Sequence, residues 1–158
     1  MEPLGPFNDL SEHYNSHNFF GGKENLIPDP YKINPYLVAK IEEIRAFLGN
    51  RKLPVTSGYR TKNHPDEVGK TTPGPHTHGI AGDLDISQYG DPEALYKLLD
   101  NQPFMQDVGF GIYPDKKIMH VDVRGKRARW AAYNDTPKHE TYATADVVFK
   151  AIKLRKNP

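Results

Sequence analysis

The segment PHTHGIAGDLDI, Pro75 to Ile86, places two histidines ahead of two aspartates with small residues between them. Histidine and carboxylate side chains at this density are typical of a divalent-cation site or of titratable groups held close together. A buried charge without a partner costs roughly several kcal/mol, so a buried cluster of this kind needs a cation or a proton. The alternative interpretation is a polar loop that leads into a half-exposed strand.

Composition restricts the possible chemistry. The chain contains no cysteine, which excludes disulfide scaffolds, cysteine zinc knuckles and thiol nucleophiles, so any metal site must be built from histidine and carboxylates. Lysine and arginine number 21 against 20 acidic residues, and this balance gives no reason to expect nucleic-acid or membrane partners. The amino terminus lacks a basic leader with an apolar core. We therefore expect a protein made as a soluble cytoplasmic product, or one from which a leader has been removed.

The 158 residues are enough for one domain with a real core. The clearest predicted helix begins after a capping asparagine, Asn34, and carries apolar residues at helical spacing as far as Gly49. A second helix opens at Asp91, and a third has an apolar stripe near the carboxyl end. We predict a single domain with an amino-terminal arm (1–33), a metal-binding core (about 34–130) and a carboxyl-terminal helix (about 144–155).

Short, turn-bounded runs between these helices predict strands over 53–60, 79–86, 107–114 and 117–125. Strands of this kind are typical of antiparallel pairing. The order of helices, strands and helices predicts an α+β fold, with a small antiparallel sheet and flanking helices.

Alternation along two of these strands turns the polar residues to one face. His120 and Asp122 point away from the apolar side of one strand, and Asp83 and Asp85 do the same on another. If both strands face one pocket, then Asp83, His120 and the preceding loop residue His76 form a site together. Three nitrogen and oxygen ligands with one position left for water are typical of a catalytic zinc.

Three motifs occur in an order that resembles a known family. HTHGIAGD resembles the zinc-binding signature of the D-alanyl-D-alanine carboxypeptidases, which include the VanX and VanY enzymes and several phage endolysins. SGYRT with Asn63 resembles the segment upstream of that signature, and GFGIYPDKKIMHVDVRG resembles the closing strand. The resemblance spans about 54–130 and implies the small hedgehog/DD-peptidase fold.

The resemblance also implies roles for individual residues. His76, Asp83 and His120 correspond to the ligands of a single zinc ion, and Arg60 corresponds to an arginine that holds the substrate or the carbonyl oxyanion. The implied reaction is the hydrolysis of a peptide-like bond.

The chain departs from the family pattern at two positions. Lys117 stands where many relatives have a carboxylate that acts as general base. Asp122 is our first candidate for that base, although a role in holding a ligand or an arginine is at least as well supported, and Asp115 is a weaker candidate. Gly74 stands where relatives often have a serine, and the substrate would lose a hydroxyl contact there.

We predict four substrate-binding residues: Tyr59, Asn63, Tyr113 and Trp130. Tyr113 and Trp130 are as well suited to filling a gap in the core as to lining the substrate cleft.

The remaining polar motifs have more ordinary interpretations. His78 and Asp85 repeat the spacing of His76 and Asp83, so a slipped register is a minor alternative for the ligands. Surface positions are expected for the other histidines, which are His13, His17, His64 and His139.

The basic run RGKRARW (124–130) is interpreted as an edge strand covered by its arginines, in preference to a patch that binds an anionic polymer.

These observations lead us to expect a monomeric zinc metallopeptidase that cleaves peptidoglycan stem peptides or muropeptides. It would act as a carboxypeptidase that removes a terminal D-Ala or as an endopeptidase within the stem or cross-link. Both a phage lysis or virion-associated enzyme, delivered to the wall, and a cytoplasmic enzyme that trims free muropeptides agree with the sequence. The alternative is a non-catalytic zinc-containing binding or structural domain of the same fold, which Lys117 keeps open. Nucleic-acid binding through Arg124, Arg127 and Arg129 is a third and weaker hypothesis.

Overall fold

The computed structural model describes residues 9–21 and 23–156. Its helices and strands, in chain order, are α1 (Pro35–Phe47), β1 (Val55–Ser57), β2 (Ala81–Asp85), α2 (Pro92–Asp100), β3 (Gly109–Tyr113), β4 (Ile118–Asp122), β5 (Ala128–Thr136), β6 (His139–Ala143) and α3 (Ala145–Lys156). Single turns of 3-10 helix lie at Ser16–Phe19, Pro30–Lys32, Pro75–His78 and Pro103–Met105. None of the helices in these two ranges is both long and apolar enough to cross a membrane.

The strands form one six-stranded sheet in the order β1-β2-β4-β3-β5-β6, which confirms the α+β class. The sheet is mixed, because β3 and β5 are parallel while the other neighbours are antiparallel. The predicted antiparallel sheet therefore contains one parallel pair, β3 with β5. The connection after β4 (123–127) is short, and it begins at the end of β4 that lies beside the start of β3. Strand β5 therefore starts next to the start of β3 and runs in the same direction.

Helix α1 forms as its sequence predicts. The Asn34 side chain accepts a hydrogen bond from the backbone of Tyr36 at 2.8 Å, and Gly49 ends the helix region with a φ of 87°. Its apolar face is fully or almost fully buried, and burying each such side chain contributes about 1.5–3 kcal/mol. The residues of this face are Leu37, Val38, Ile41 and Ile44.

The helix covers one face of the sheet and leaves the other for chemistry. An added Cβ on Gly82 of β2 would lie 3.3 Å from Ile41 of α1, so the helix packs closely on that face. Met119 and Val121 of β4 are fully buried in the core. Because side chains alternate along a strand, His120 and its neighbours in β2 project from the opposite face.

The basic run is not an edge strand, because β5 lies between β3 and β6 and the sheet ends at β6. Two of its arginines bind the carboxylate at the end of α2, with Arg127 and Arg129 contacting Asp100 at 3.0 and 2.6 Å. His139, expected in a surface loop, is the exposed first residue of β6.

Candidate metal centre

Strands β2 and β4 place an aspartate and a histidine directly opposite each other. Asp83 pairs with His120 in the antiparallel register, and His76 approaches from the 3-10 turn before β2. Asp83 Oδ1 lies 3.4 Å from His76 Nε2 and 3.1 Å from His120 Nδ1. The three donor atoms lie within 4.8 Å of one another, so they surround one point, as the ligands of a single cation do.

In each imidazole, the outer ring nitrogen, which points away from the centre, donates a hydrogen bond to an acceptor, and the inner nitrogen faces the centre. His76 Nδ1 donates to the Gly58 carbonyl at 2.7 Å, and His120 Nε2 donates to Asp122 Oδ2 at 2.7 Å. With the protons on these nitrogens, the inner nitrogens would present lone pairs to a metal ion bound at the centre. Two neutral imidazoles and one carboxylate, each supported from behind, fit the nitrogen and oxygen preferences of zinc.

The charges at the centre favour a cation. Burial would raise the pKa of Asp83, but hydrogen bonds from His120 and His76 hold that pKa well below its usual range. Burial would lower the pKa of His120, but hydrogen bonds to Asp122 and Asp83 raise it. The Asp83 carboxylate is therefore ionised at neutral pH, and a bound metal ion would take the place of the hydrogen bonds that it receives from the two histidines.

Asp122 lies behind His120 and is fully buried. Its Oδ2 accepts from His120 Nε2 and from Arg124 Nη2, and its Oδ1 accepts from Arg124 Nε, each at 2.7 Å. Burial would raise its pKa, but the Arg124 guanidinium and His120 hold that pKa well below the usual range. Both oxygens are thus occupied on the far side of the ligand, as in a residue that holds a ligand and an arginine in position.

Arg60 contacts the centre through the ligand carboxylate. Its Nη2 donates to Asp83 Oδ2 at 3.1 Å, and its Nε donates to Ser57 Oγ at 3.1 Å. Its Nη1 lies 3.5 Å from Glu67 Oε1. The guanidinium is therefore fixed beside the candidate metal ligands, and it lines a cavity there.

A cavity of about 740 Å³ opens over the three candidate ligands. The connection between β1 and β2 supplies one wall, including Arg60, and strands β3 to β6 supply the other. Tyr113 and Trp130 belong to the second wall, where Trp130 Nε1 donates to the Tyr113 hydroxyl at 2.8 Å. Burial raises the pKa of Tyr113, so its hydroxyl keeps its proton. Both aromatic residues line the cleft, which was one of their two expected positions.

A sequence profile of the family described as Peptidase M15 matches residues 18–122. This chain belongs to the peptidase M15 family. No curated protein matches the chain. The match confirms the resemblance to the D-alanyl-D-alanine carboxypeptidase family of zinc metallopeptidases.

The part of the chain matched to peptidase M15 contains the three candidate ligands, Arg60 and Asp122. The β5–β6 hairpin lies beyond it, and this hairpin adds Trp130, Glu140 and Tyr142 to the cavity wall.

Three residues predicted to act in the site lie away from the cavity lining. Asp115, in the β3–β4 turn, accepts from Arg155 Nη2 and from the backbone of Asn134, both at 2.6 Å. Asn63 is exposed, and Tyr59 packs its ring against Phe20 at 5.4 Å between centroids. The motif spacing did not show the positions of Asp115 and Tyr59, because these depend on contacts with residues distant in sequence.

Two cavity residues were missed or misjudged from the sequence. His64, expected at the surface, is only 6 % exposed, and its Nδ1 accepts from the backbone of Asp66 at 3.0 Å. Glu67 is equally buried and accepts from the backbone of Gly74 at 3.3 Å. Both line the cavity, and no periodic pattern in this connection marks them.

The slipped-register ligands are not brought together by the structure. His78 is exposed at the end of its 3-10 turn, and Asp85 accepts a hydrogen bond from the backbone of Ser87 at 2.8 Å.

Two glycines of β3 make room for the site. An added Cβ on Gly109 would collide with the Asp122 carboxylate, and one on Gly111 would collide with the Trp130 indole. Glycine inside a strand often marks a close approach of this kind, so the GFG sequence was the available signal.

Replacing Gly109 with alanine is expected to push Asp122 away from His120. We expect zinc affinity to fall about 10–100-fold, the typical effect of losing a support behind a metal ligand, and the free energy of unfolding to fall by about 1–3 kcal/mol. Zinc titration and denaturant unfolding measure the two effects. Gly21→Ala is the matched control, since an added Cβ there meets nothing within 4 Å. Equal behaviour of the two variants would contradict the assignment.

Proposed function

We propose that this protein is a zinc-dependent peptidase that hydrolyses the stem peptides of bacterial peptidoglycan. The observation that carries the proposal is the convergence of His76, Asp83 and His120 at the base of a cavity that Arg60 also lines. The cavity volume of about 740 Å³ is in the range of small-ligand sites and suits a short peptide segment. Membership of the peptidase M15 family supports the same activity.

Each residue has a defined task in this proposal. His76, Asp83 and His120 would hold the zinc ion, which supplies a Lewis acid and activates water for attack on the peptide carbonyl. Arg60 directs its charge toward the carbonyl oxygen, where negative charge develops in the transition state. Asp122 keeps the His120 ring in the orientation that presents Nδ1 to the centre.

The two carboxylates that the sequence offered as general base do not suit that role. Asp122 is enclosed behind His120, and Asp115 is occupied by Arg155 away from the cavity. Lys117 adopts a φ of 52° in the turn between β3 and β4 and does not line the cavity. The proposal therefore assigns Asp122 to positioning and gives no task to Asp115.

The second candidate function is a zinc-containing domain without catalysis. Lys117 in the place of the usual carboxylate is the specific observation that favours it. Such a domain would bind zinc through the same three residues and leave peptides intact.

Digestion of purified peptidoglycan and of a synthetic stem pentapeptide, followed by mass spectrometry, tests the proposal. The zinc-loaded protein is expected to cleave at least one of them, and a chelator should abolish the cleavage. Loss of one D-Ala identifies a carboxypeptidase, and an internal cut identifies an endopeptidase. His76→Ala should be inactive, while His78→Ala, a change of an exposed histidine in the same turn, should retain activity. Stoichiometric zinc with both substrates intact would establish the non-catalytic alternative.

A further inference from the structure

The guanidinium of Arg124 is held rigidly in the cavity wall. Its Nε and Nη2 donate to the two oxygens of buried Asp122, each at 2.7 Å. Its carbon Cζ lies 5.3 Å from the centre of the Trp130 ring. A two-point hydrogen bond and an aromatic surface together fix both the position and the plane of an arginine side chain.

One edge of this guanidinium remains available. Within residues 9–21 and 23–156, Arg124 Nη1 makes no hydrogen bond, although a guanidinium carries five N–H donors. The side chain is 29 % exposed and lines the cavity. Its unused donors are therefore open to a molecule bound there.

The other arginine of the cavity lining contacts more carboxylates than Arg124 does. Arg60 lies within 3.8 Å of Asp66, Glu67 and Asp83. Among the described residues, Arg124 has one carboxylate partner, Asp122, which also accepts from His120.

Asp122 also sets the distance between Arg124 and the metal centre. The same carboxylate contacts His120 Nε2 and Arg124 Nη2 at 2.7 Å, and Trp130 covers the His120 ring at 4.9 Å between centroids. The guanidinium is thus one side chain away from a metal ligand. Arg124 and the three candidate ligands line the same cavity, so a peptide bound there can contact both.

We propose that Arg124 binds a carboxylate of the peptide substrate and thereby determines which peptides are cleaved. A planar fork of N–H donors matches the geometry of a carboxylate, and its preorganisation by Asp122 and Trp130 reduces the entropy lost on binding. This inference rests on the proposed peptidase function. The carboxylate is either the α-carboxylate of the chain end or an acidic side chain beside the scissile bond.

Paired peptides distinguish these two sources. One pair differs only in a carboxyl-terminal acid or amide, and the other differs only in a glutamate or glutamine side chain beside the bond. We expect the wild-type protein to prefer the charged member of one pair by about 10- to 100-fold in kcat/KM, the typical effect of a hydrogen bond to a charged group. Arg124→Gln should reduce this preference to about one, so the ratio of kcat/KM for the charged and neutral members is the measured quantity and any change in the neutral member's rate is scored separately.

A role for Arg124 in holding Asp122 alone would give a different result. It would lower kcat/KM equally for the charged and neutral members and leave their ratio unchanged. Zinc content is measured for each variant so that loss of metal is seen separately. Arg127→Gln is the matched control, because Arg127 is an exposed arginine that binds Asp100 and lies outside the cavity lining.

The possible failures are distinguishable. Equal cleavage of both members of both pairs by the wild-type protein would overturn the carboxylate site and leave the peptidase function intact. Cleavage of no peptide would count against the proposed function. Calorimetric binding of the same peptides to the wild-type and Arg124→Gln proteins then decides the carboxylate site by itself, and equal affinity for acid and amide would overturn it.

Discussion

Replacement of Asp83 with asparagine is expected to abolish zinc binding and peptide hydrolysis together. The carboxylate supplies the negative charge of the centre and contacts His76, His120 and Arg60. An amide of the same shape carries no charge, so the positive charge of a bound metal ion would no longer be neutralised at this position. We expect zinc affinity to fall by more than about 100-fold, which exceeds the usual effect of losing a residue that only hydrogen-bonds to a metal ligand.

Asp85→Asn is the matched control for this change. Asp85 lies two residues further along the same strand on the same face, and its carboxylate accepts hydrogen bonds from Ser87. Zinc stoichiometry by elemental analysis and turnover of a stem peptide measure the outcome. Retention of zinc by Asp83→Asn together with its loss in Asp85→Asn would show that the slipped register holds the metal.

Replacement of Arg60 with glutamine is expected to separate metal binding from turnover. The guanidinium contacts Asp83 Oδ2, the oxygen that faces away from the two histidines, so the three ligands themselves stay in place. Loss of a preorganised donor toward a developing oxyanion typically lowers kcat about 100- to 1000-fold, and we expect an effect of this size at saturating zinc.

Zinc titration and steady-state kinetics on one peptide test this prediction. Arg51→Gln is the control, because Arg51 is an exposed arginine that packs on Tyr89 outside the cavity lining. Unchanged turnover in Arg60→Gln would remove Arg60 from the proposed mechanism. Loss of zinc in that variant would instead make Arg60 a structural partner of Asp83.

The β5–β6 hairpin gives the cavity a wall that lies beyond the family match. Trp130 from this hairpin covers both His120 and Arg124. Tyr142 stands beside Tyr113, with 6.2 Å between the ring centroids. Residues of this wall lie next to the bound peptide in our proposal, so we expect selectivity among stem peptides to depend on this hairpin.

Local patterns were sufficient to predict the elements that carry the site. The cap at Asn34 and the apolar repeat of α1 specify a helix through contacts within a few residues, and the structure forms it as predicted. Alternation in β2 and β4 likewise places Asp83 and His120 on the face opposite the apolar residues. Side-chain periodicity is a property of the local backbone, so the sequence alone is enough to identify which face is polar.

Pairing between distant segments depends on the tertiary structure. The parallel contact of β3 with β5 and the position of β6 at the edge follow from the path of the chain after β4, which no local periodicity specifies. The enclosure of Asp122 against Gly109 and the hydrogen bond of Asp115 with Arg155 each require a partner distant in the sequence. His64 is buried although no local pattern marks it. The sequence alone gives the types and the spacing of the candidate ligands. Whether a polar side chain is exposed to the cavity depends on packing between residues distant in sequence. That packing separates the groups that can contact a bound molecule from those that only hold a metal ligand in position.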